Sequence, residues 1–130
     1  MLSCVQYYYS TINADPPALA PLYAEGSVVT TTDQLAAQQH KSEQYTGEAQ
    51  IADWLLSLRR QFDPQSLDVQ PMGPSRFMCL VTGHMYDPED GTGWQFSHTM
   101  LFVTVGTSLM IDREIKQCWP RACDPTDTPR

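Results

Sequence analysis

Few residues in this chain combine the types and spacing that chemistry demands. The four cysteines, Cys4, Cys79, Cys118 and Cys123, are scattered. Cys118 and Cys123 can form a pair, but no histidine lies near enough in sequence to complete a zinc set. Cys79 falls in an expected strand and Cys4 in an expected helix, where a thiol serves as a small buried hydrophobe. That usage fits a reducing intracellular compartment. No metal or cofactor is expected. His40 and His84 have no partner nearby in sequence, and no Ser/His/Asp set or phosphate-binding loop occurs. What remains is Asp87-Pro-Glu-Asp-Gly-Thr-Gly93, an acidic, glycine-rich hairpin followed by Trp94. Trp94, beside the acidic Asp87, Glu89 and Asp90, suits an interface anchor. The same residues also suit a solvated turn and a strand-end aromatic that covers the core.

Composition limits the partners further. The 130 residues make one ordinary domain, with 42% apolar and 18% charged residues, a normal soluble balance. A net charge of −7 argues against direct nucleic-acid binding, which needs a basic face, and against an anionic membrane surface. No apolar run reaches the roughly 18 residues of a membrane span. No basic segment followed by an apolar one opens the chain, so no secretory leader is expected.

The elements that must position these residues divide into helices first and strands after. Leu2, Val5, Tyr9 and Ile12 recur at helical spacing, with Tyr8 on the apolar flank. Asp15-Pro16 starts a second helix with Leu19, Leu22 and Tyr23 as its stripe, ended by Gly26. Ser27-Val-Val-Thr-Thr31 reads as a short strand, and the polar residues 32–45 as a loop or irregular hairpin. Thr46-Gly47-Glu48 opens a third helix with Ile51, Leu55 and Leu58 as its stripe and Trp54 and Phe62 on the flanks. Arg59 and Arg60 close it where cations are favoured. Strands follow at 66–72, 77–85, 95–103 and 109–115, punctuated by Gly73-Pro-Ser75 and the acidic hairpin. Large residues occupy both alternating sets of the middle strands, as in a sheet covered on one face and in contact on the other. The tail from residue 118 has three prolines and little to bury, so it is expected to be mobile. The domain is therefore expected over 1–117 and the tail over 118–130.

Five short motifs, in order, carry a family resemblance over about residues 4–116. Val5-Gln-Tyr-Tyr-Tyr9, then Leu22-Tyr23-Ala and Ser27-Val, looks like the opening helices of the nuclear transport factor 2-like family. Tyr45-Thr-Gly-Glu-Ala-Gln-Ile51 resembles that family's entry to its third helix, and Ser66-Leu-Asp-Val-Gln-Pro71 its third strand. Phe96-Ser-His-Thr-Met-Leu-Phe102 is similar to its Phe-Ser-Gln-Thr-Phe strand, the most specific piece, while Met110-Ile-Asp-Arg-Glu-Ile-Lys116 matches its last strand loosely. The resemblance implies an α+β, cone-shaped fold: three helices packed on a curved, mostly antiparallel sheet.

It also implies a non-enzymatic adaptor in nucleocytoplasmic transport, found in the nucleus, at the nuclear pore and in the cytoplasm. Such proteins pair through the exposed sheet, here expected to involve Met78, Leu80, His98 and Met100. The expected role is the small subunit of an mRNA export heterodimer; the alternative is a homodimeric carrier of Ran-GDP, whose acidic hairpin Asp87, Glu89 and Asp90 would match in meeting a basic switch region, and either pairing would meet phenylalanine-glycine nucleoporins. Lys41, near where the carrier has a Ran-contacting glutamate, and the long 32–45 stretch favour the export subunit. So do the first helix, which begins almost at Met1 and leaves out the carrier's preceding aromatic segment, and the Cys/Pro tail. Enzymes of the same fold, such as ketosteroid isomerase, place Tyr and Asp inside the cone. The counterparts here would be Tyr8 or Tyr9 with Asp112 or His98. Core packing with a capped hydroxyl is the expectation for the tyrosines, and an interface or core-edge position for His98.

Overall fold

A computed structural model describes residues 3–36, 39–89 and 91–120. Helix α1 (Ser3–Ala14) is followed by a 3₁₀ helix (Pro16–Leu22), then β1 (Tyr23–Ala36), β2 (Gln39–Thr46) and α2 (Gly47–Ser57). Four strands complete the order: β3 (Gln61–Pro71), β4 (Arg76–Tyr86), β5 (Gly93–Val105) and β6 (Ser108–Pro120). They form one sheet in the order β2-β1-β6-β5-β4-β3, antiparallel except where β1 lies parallel to β6. The helices cover one face of this curved sheet, as the α+β expectation required.

The inner face carries Cys79, Val81 and Met85 of β4, Phe96, Met100 and Phe102 of β5, and Ile111 of β6, all buried. Val5, Tyr8, Tyr9 and Ile12 of α1 and Ile51, Trp54 and Leu55 of α2 close over them. Asn13 clips α1 to the sheet: its side chain accepts from the Phe62 N–H and donates to the Phe62 carbonyl, both at 2.8 Å. One amide thus satisfies both backbone groups of a strand's second residue.

Several elements differ from the sequence reading. Residues 32–45 are mostly a regular hairpin, β1 with β2, whose Thr32 and Ser42 hydroxyls meet at 3.0 Å. Residues 32–34 are half-buried and 41–44 exposed, so this ribbon carries no strong alternation of polarity and left little periodic trace. Gly26 does not end a helix; it lies inside β1 at a shift in the pairing with β6. Helix α2 stops at Ser57, and Arg59 donates to the carbonyls of Leu56 (2.7 Å) and Leu58 (2.9 Å). The cation therefore caps the helix end from outside it. Phe62 belongs to β3, which begins five residues before the expected strand. Strand β6 continues to Pro120, pairing Cys118 with Phe96 and Trp119 with Gln95, so the ordered domain passes the expected boundary at 117. The remainder of the tail lies outside the described residues.

At Gly83 strands β3 and β4 approach closely beside a register shift between Pro64 and Ser66. A Cβ there would stand 2.2 Å from the Asp63 carbonyl oxygen, a backbone atom that cannot swing aside. Gly83→Ala should therefore destabilise the fold by about 1–3 kcal/mol, read as a lower urea midpoint with unchanged slope.

Candidate functional site

Three surfaces can carry function: a polar cluster inside the cone, a pocket at its mouth, and the outer face of the sheet.

The cluster centres on Glu114 of β6, which is 1% exposed. It faces inward because β6 bulges at Asp112: Phe102 pairs with Ile111 and Leu101 with Arg113, so Ile111 and Glu114 share the inner face. Tyr8 of α1 donates to Oε2 at 2.8 Å, and Tyr23 at the start of β1 donates to Oε1 at 2.5 Å. His98 Nε2 lies 2.8 Å from Oε2, though off the axis of an aligned hydrogen bond. Tyr9 OH and His98 Nδ1 are 2.7 Å apart.

The protonation states follow from these contacts. Burial first, then the nearby carboxylate, pushes the Tyr8 and Tyr23 hydroxyls well above their ordinary value, as it does Tyr9. All three remain neutral. Burial pushes His98 below its usual range, against the pull of Glu114. A neutral imidazole accepts from Tyr9 at Nδ1 and turns its Nε2–H toward Glu114. Burial pushes Glu114 up, but His98, Lys116 and the Tyr23 hydroxyl outweigh it and hold the carboxyl below its usual range. The arrangement is an ionised carboxylate held by two tyrosine hydroxyls, with His98 and the Lys116 ammonium acting on it from beside.

The pocket, of about 260 Å³, is lined at its base by Trp54, Phe62, Met85 and Lys116, with Tyr45 and Asp33 among its walls. None of Tyr8, Tyr9, Tyr23, His98 or Glu114 lines it, so the cluster is sealed from the pocket. Lys116 follows Glu114 by two residues on the inner face of β6 and is 5% exposed. Burial pulls its ammonium down to about 8.

On the outer face, Leu80 of β4, Thr99 of β5, Ile115 of β6 and Thr30 of β1 form one cross-sheet row. Met78, Leu101, Arg113 and Val28 form the next.

The predicted residues distribute unevenly over these surfaces. Met78 and Leu80 lie on the outer face, but His98 and Met100 are fully buried on the inner one and cannot belong to a docking face. Each β4–β5 pair joins an even-numbered residue to an odd-numbered one, so the two pairs point to opposite sides. Nor is His98 a core-edge residue. Asp87 lines the pocket mouth, and its carboxylate accepts from the Glu89 N–H at 2.8 Å, capping its own turn; Glu89 is exposed. Asp90 lies outside the described residues. Trp94 packs on the core with the Arg60 guanidinium 4.1 Å from its ring centre. Asp112 sits in the bulge beside Arg113, at 3.3 Å, away from the tyrosines. Tyr8 and Tyr9 pack in the core with satisfied hydroxyls, as expected. Glu114 and Lys116, the two buried Glu and Lys side chains among the described residues, carry no signal in the sequence pattern.

This geometry accords with what the chain resembles among known proteins. Residues 2–115 match the sequence profile of the nuclear transport factor 2 (NTF2) domain. The chain belongs to the NTF2 domain family. It is 29% identical over 115 residues to nuclear transport factor 2 of Oryza sativa subsp. japonica, covering 85% of this chain and 87% of that one. The structure of Ntf2 from Cryptosporidium parvum superposes with a TM-score of 0.75 at 28% identity, over 88% of each chain. The Mtr2–Mex67 M domain complex of C. albicans gives a TM-score of 0.74 over 93% of each chain. Its 13% identity makes that a likeness of fold alone.

Glu114 links this NTF2 domain's stability to pH. Its folded value is lowered from an ordinary 4.5, so the stabilisation is complete above the unfolded value and is lost as pH falls through the folded one. In urea melts between pH 6 and pH 3, wild type should lose stability steeply and Glu114→Gln much less. At pH 7 the Gln variant should be weaker by roughly 1.5–3 kcal/mol, since the hydroxyls lose an ionised acceptor.

Proposed function

We propose that this chain is a non-enzymatic transport adaptor that pairs through the outer face of its sheet and moves a protein partner between cytoplasm and nucleus. The observation that carries the proposal is the apolar patch on that face. Leu80 is 37% and Ile115 47% exposed, with Met78, Leu101 and Val28 beside them. Large apolar side chains left exposed on a strand face, here interleaved with Thr99, Thr30 and Arg113, suit a covered surface. Membership of the NTF2 family supports the transport role. Identities of 28–29% to nuclear transport factor 2 from two organisms, against 13% to the Mtr2–Mex67 complex, favour the homodimeric carrier over the export subunit. Ran-GDP is then the cargo to test first, with the acidic hairpin at Asp87 and Glu89 as its basic-partner contact, and phenylalanine-glycine nucleoporins are the route through the pore.

The export-subunit reading keeps one observation in its favour. Lys41 lies at the pocket mouth, ion-paired with Glu43 at 3.2 Å, where the carrier resemblance calls for a glutamate. An isomerase reading is weakened by the sealed cluster, since a general base must reach its substrate.

Light scattering across a dilution series tests the pairing. Wild type should run near twice its 14.7 kDa mass. Leu80→Glu and Ile115→Glu should run as monomers with unchanged circular dichroism, because a charge desolvated at an interface centre is strongly unfavourable. A monodisperse wild-type monomer that pairs only with a larger export receptor would establish the heterodimer instead. Dimers that survive both substitutions would move the interface elsewhere.

A further inference from the structure

The charges around the pocket mouth are mostly paired off. Lys41 meets Glu43 at 3.2 Å, and Arg60 lies 3.9 Å from Asp33. Asp33 also accepts from the Cys118 thiol at 2.8 Å. Asp87 is turned to its own hairpin, and Arg59 to the carbonyls at the end of α2. Lys116, at the base, differs. Its Nζ is buried and has no hydrogen-bond partner among the described residues. It lies 4.3 Å from the ring centre of Phe62 and 4.8 Å from that of Trp54. Aromatic faces attract an ammonium but do not accept its three directed N–H bonds. The charged or titratable groups that face it are Glu114 and Cys118 on its own strand, Asp33 on β1, Arg60 ahead of β3, and His98, its register partner on β5. Glu114 is already held by Tyr8, Tyr23 and His98, and Asp33 by Cys118 and Arg60.

We infer that this pocket is a binding site for a small monocarboxylic acid with a compact aromatic or apolar body, whose carboxylate takes the free N–H donors of Lys116. The walls fit such a body: the Tyr45 and Trp54 rings stack with centroids 5.9 Å apart, and Leu58 and Met85 complete the apolar lining. An apolar cavity of about 150 Å³ already admits benzene, so 260 Å³ leaves room for a ring and a short acidic arm. Amines are repelled by the ammonium, and a phosphate dianion at the base would bring two charges against one cation set among Trp54, Phe62 and Met85, the rim's Lys41 and Arg60 being paired with Glu43 and Asp33. The site goes beyond the adaptor reading and is independent of its sheet-face pairing, which lies on the other side of the sheet, although Asp87 of the proposed cargo contact lines the same mouth.

Titration calorimetry with phenylacetate and its neutral isostere phenylacetamide tests the site on the full chain. Phenylacetate should bind saturably with one site per chain, and phenylacetamide at least about tenfold more weakly. Raising the pH from 7 to 9.5 leaves the carboxylate charged but discharges most of an ammonium that titrates near 8. The phenylacetate affinity should then fall by about tenfold or more, while that of phenylacetamide stays constant. Lys116→Met, checked for folding by circular dichroism, should lose the preference for the acid. Should that variant not fold, the acid–amide contrast and the pH arm on wild type still decide. No saturable binding, equal affinity for acid and amide, or an affinity indifferent to pH would each overturn the assignment.

Discussion

The fold depends on one buried carboxylate. Glu114 receives a hydroxyl from α1 through Tyr8 and another from the start of β1 through Tyr23. His98 of β5 lies against it and passes the network on to Tyr9. Three elements, two of them remote in sequence from β6, are oriented by a single side chain of β6. Such a network has a stringent logic. An ionised carboxylate in an apolar core is strongly unfavourable unless its lone pairs are occupied, and here neutral donors occupy them. Helix α1 can therefore dock in only one rotation, the one that aims Tyr8 inward and Tyr9 toward His98. Edge-to-face packing of the two tyrosine rings, 5.1 Å apart, fits the same rotation.

That rotation has consequences at the other end of the helix. With Tyr8 and Tyr9 fixed, Ile12 enters the core and Asn13 reaches the backbone of Phe62. Phe62 is thereby held edge-on to Phe96 and forms part of the pocket base. The polar cluster does not touch the pocket, yet it sets the wall on which Lys116 rests. Positioning and binding are thus separate tasks given to neighbouring residues of one strand.

What the sequence made legible was what periodicity records. The apolar stripes of α1 and α2, the alternating strands and the hairpin positions are all there, and so is the family resemblance. Parity was the weak point. In β6 the bulge at Asp112 lets Ile111 and Glu114, three apart, share a face. A strict period of two puts Glu114 on the solvent side of Ile111, and nothing in the local residues announces the extra one. Similarly, the grouping of Met78 and Leu80 with His98 and Met100 required a register across the acidic hairpin, and one residue more or less in that turn reverses every side chain. Residues 32–45 were legible only as a loop or irregular hairpin for a different reason: this end of the β1–β2 ribbon, half-buried to exposed, carries no strong alternation to read.

Glu114 and Lys116 stand two residues apart on the same face of the same strand, and their difference is the most informative feature of the interior. Both break the rule that charged side chains stay at the surface. Glu114 is repaid by its donors, and its carboxyl titrates below its ordinary value. Lys116 is left with two ring faces and an ammonium pulled toward neutrality. If stability alone had shaped the position, a methionine would fill the same volume among Trp54, Phe62 and Met85 without desolvating a charge. Local rules broken without compensation in a chain otherwise consistent with its fold concentrate where something binds. An unpaired cation below an aromatic-lined opening satisfies that description, whereas the fully paired carboxylate beside it belongs to the architecture.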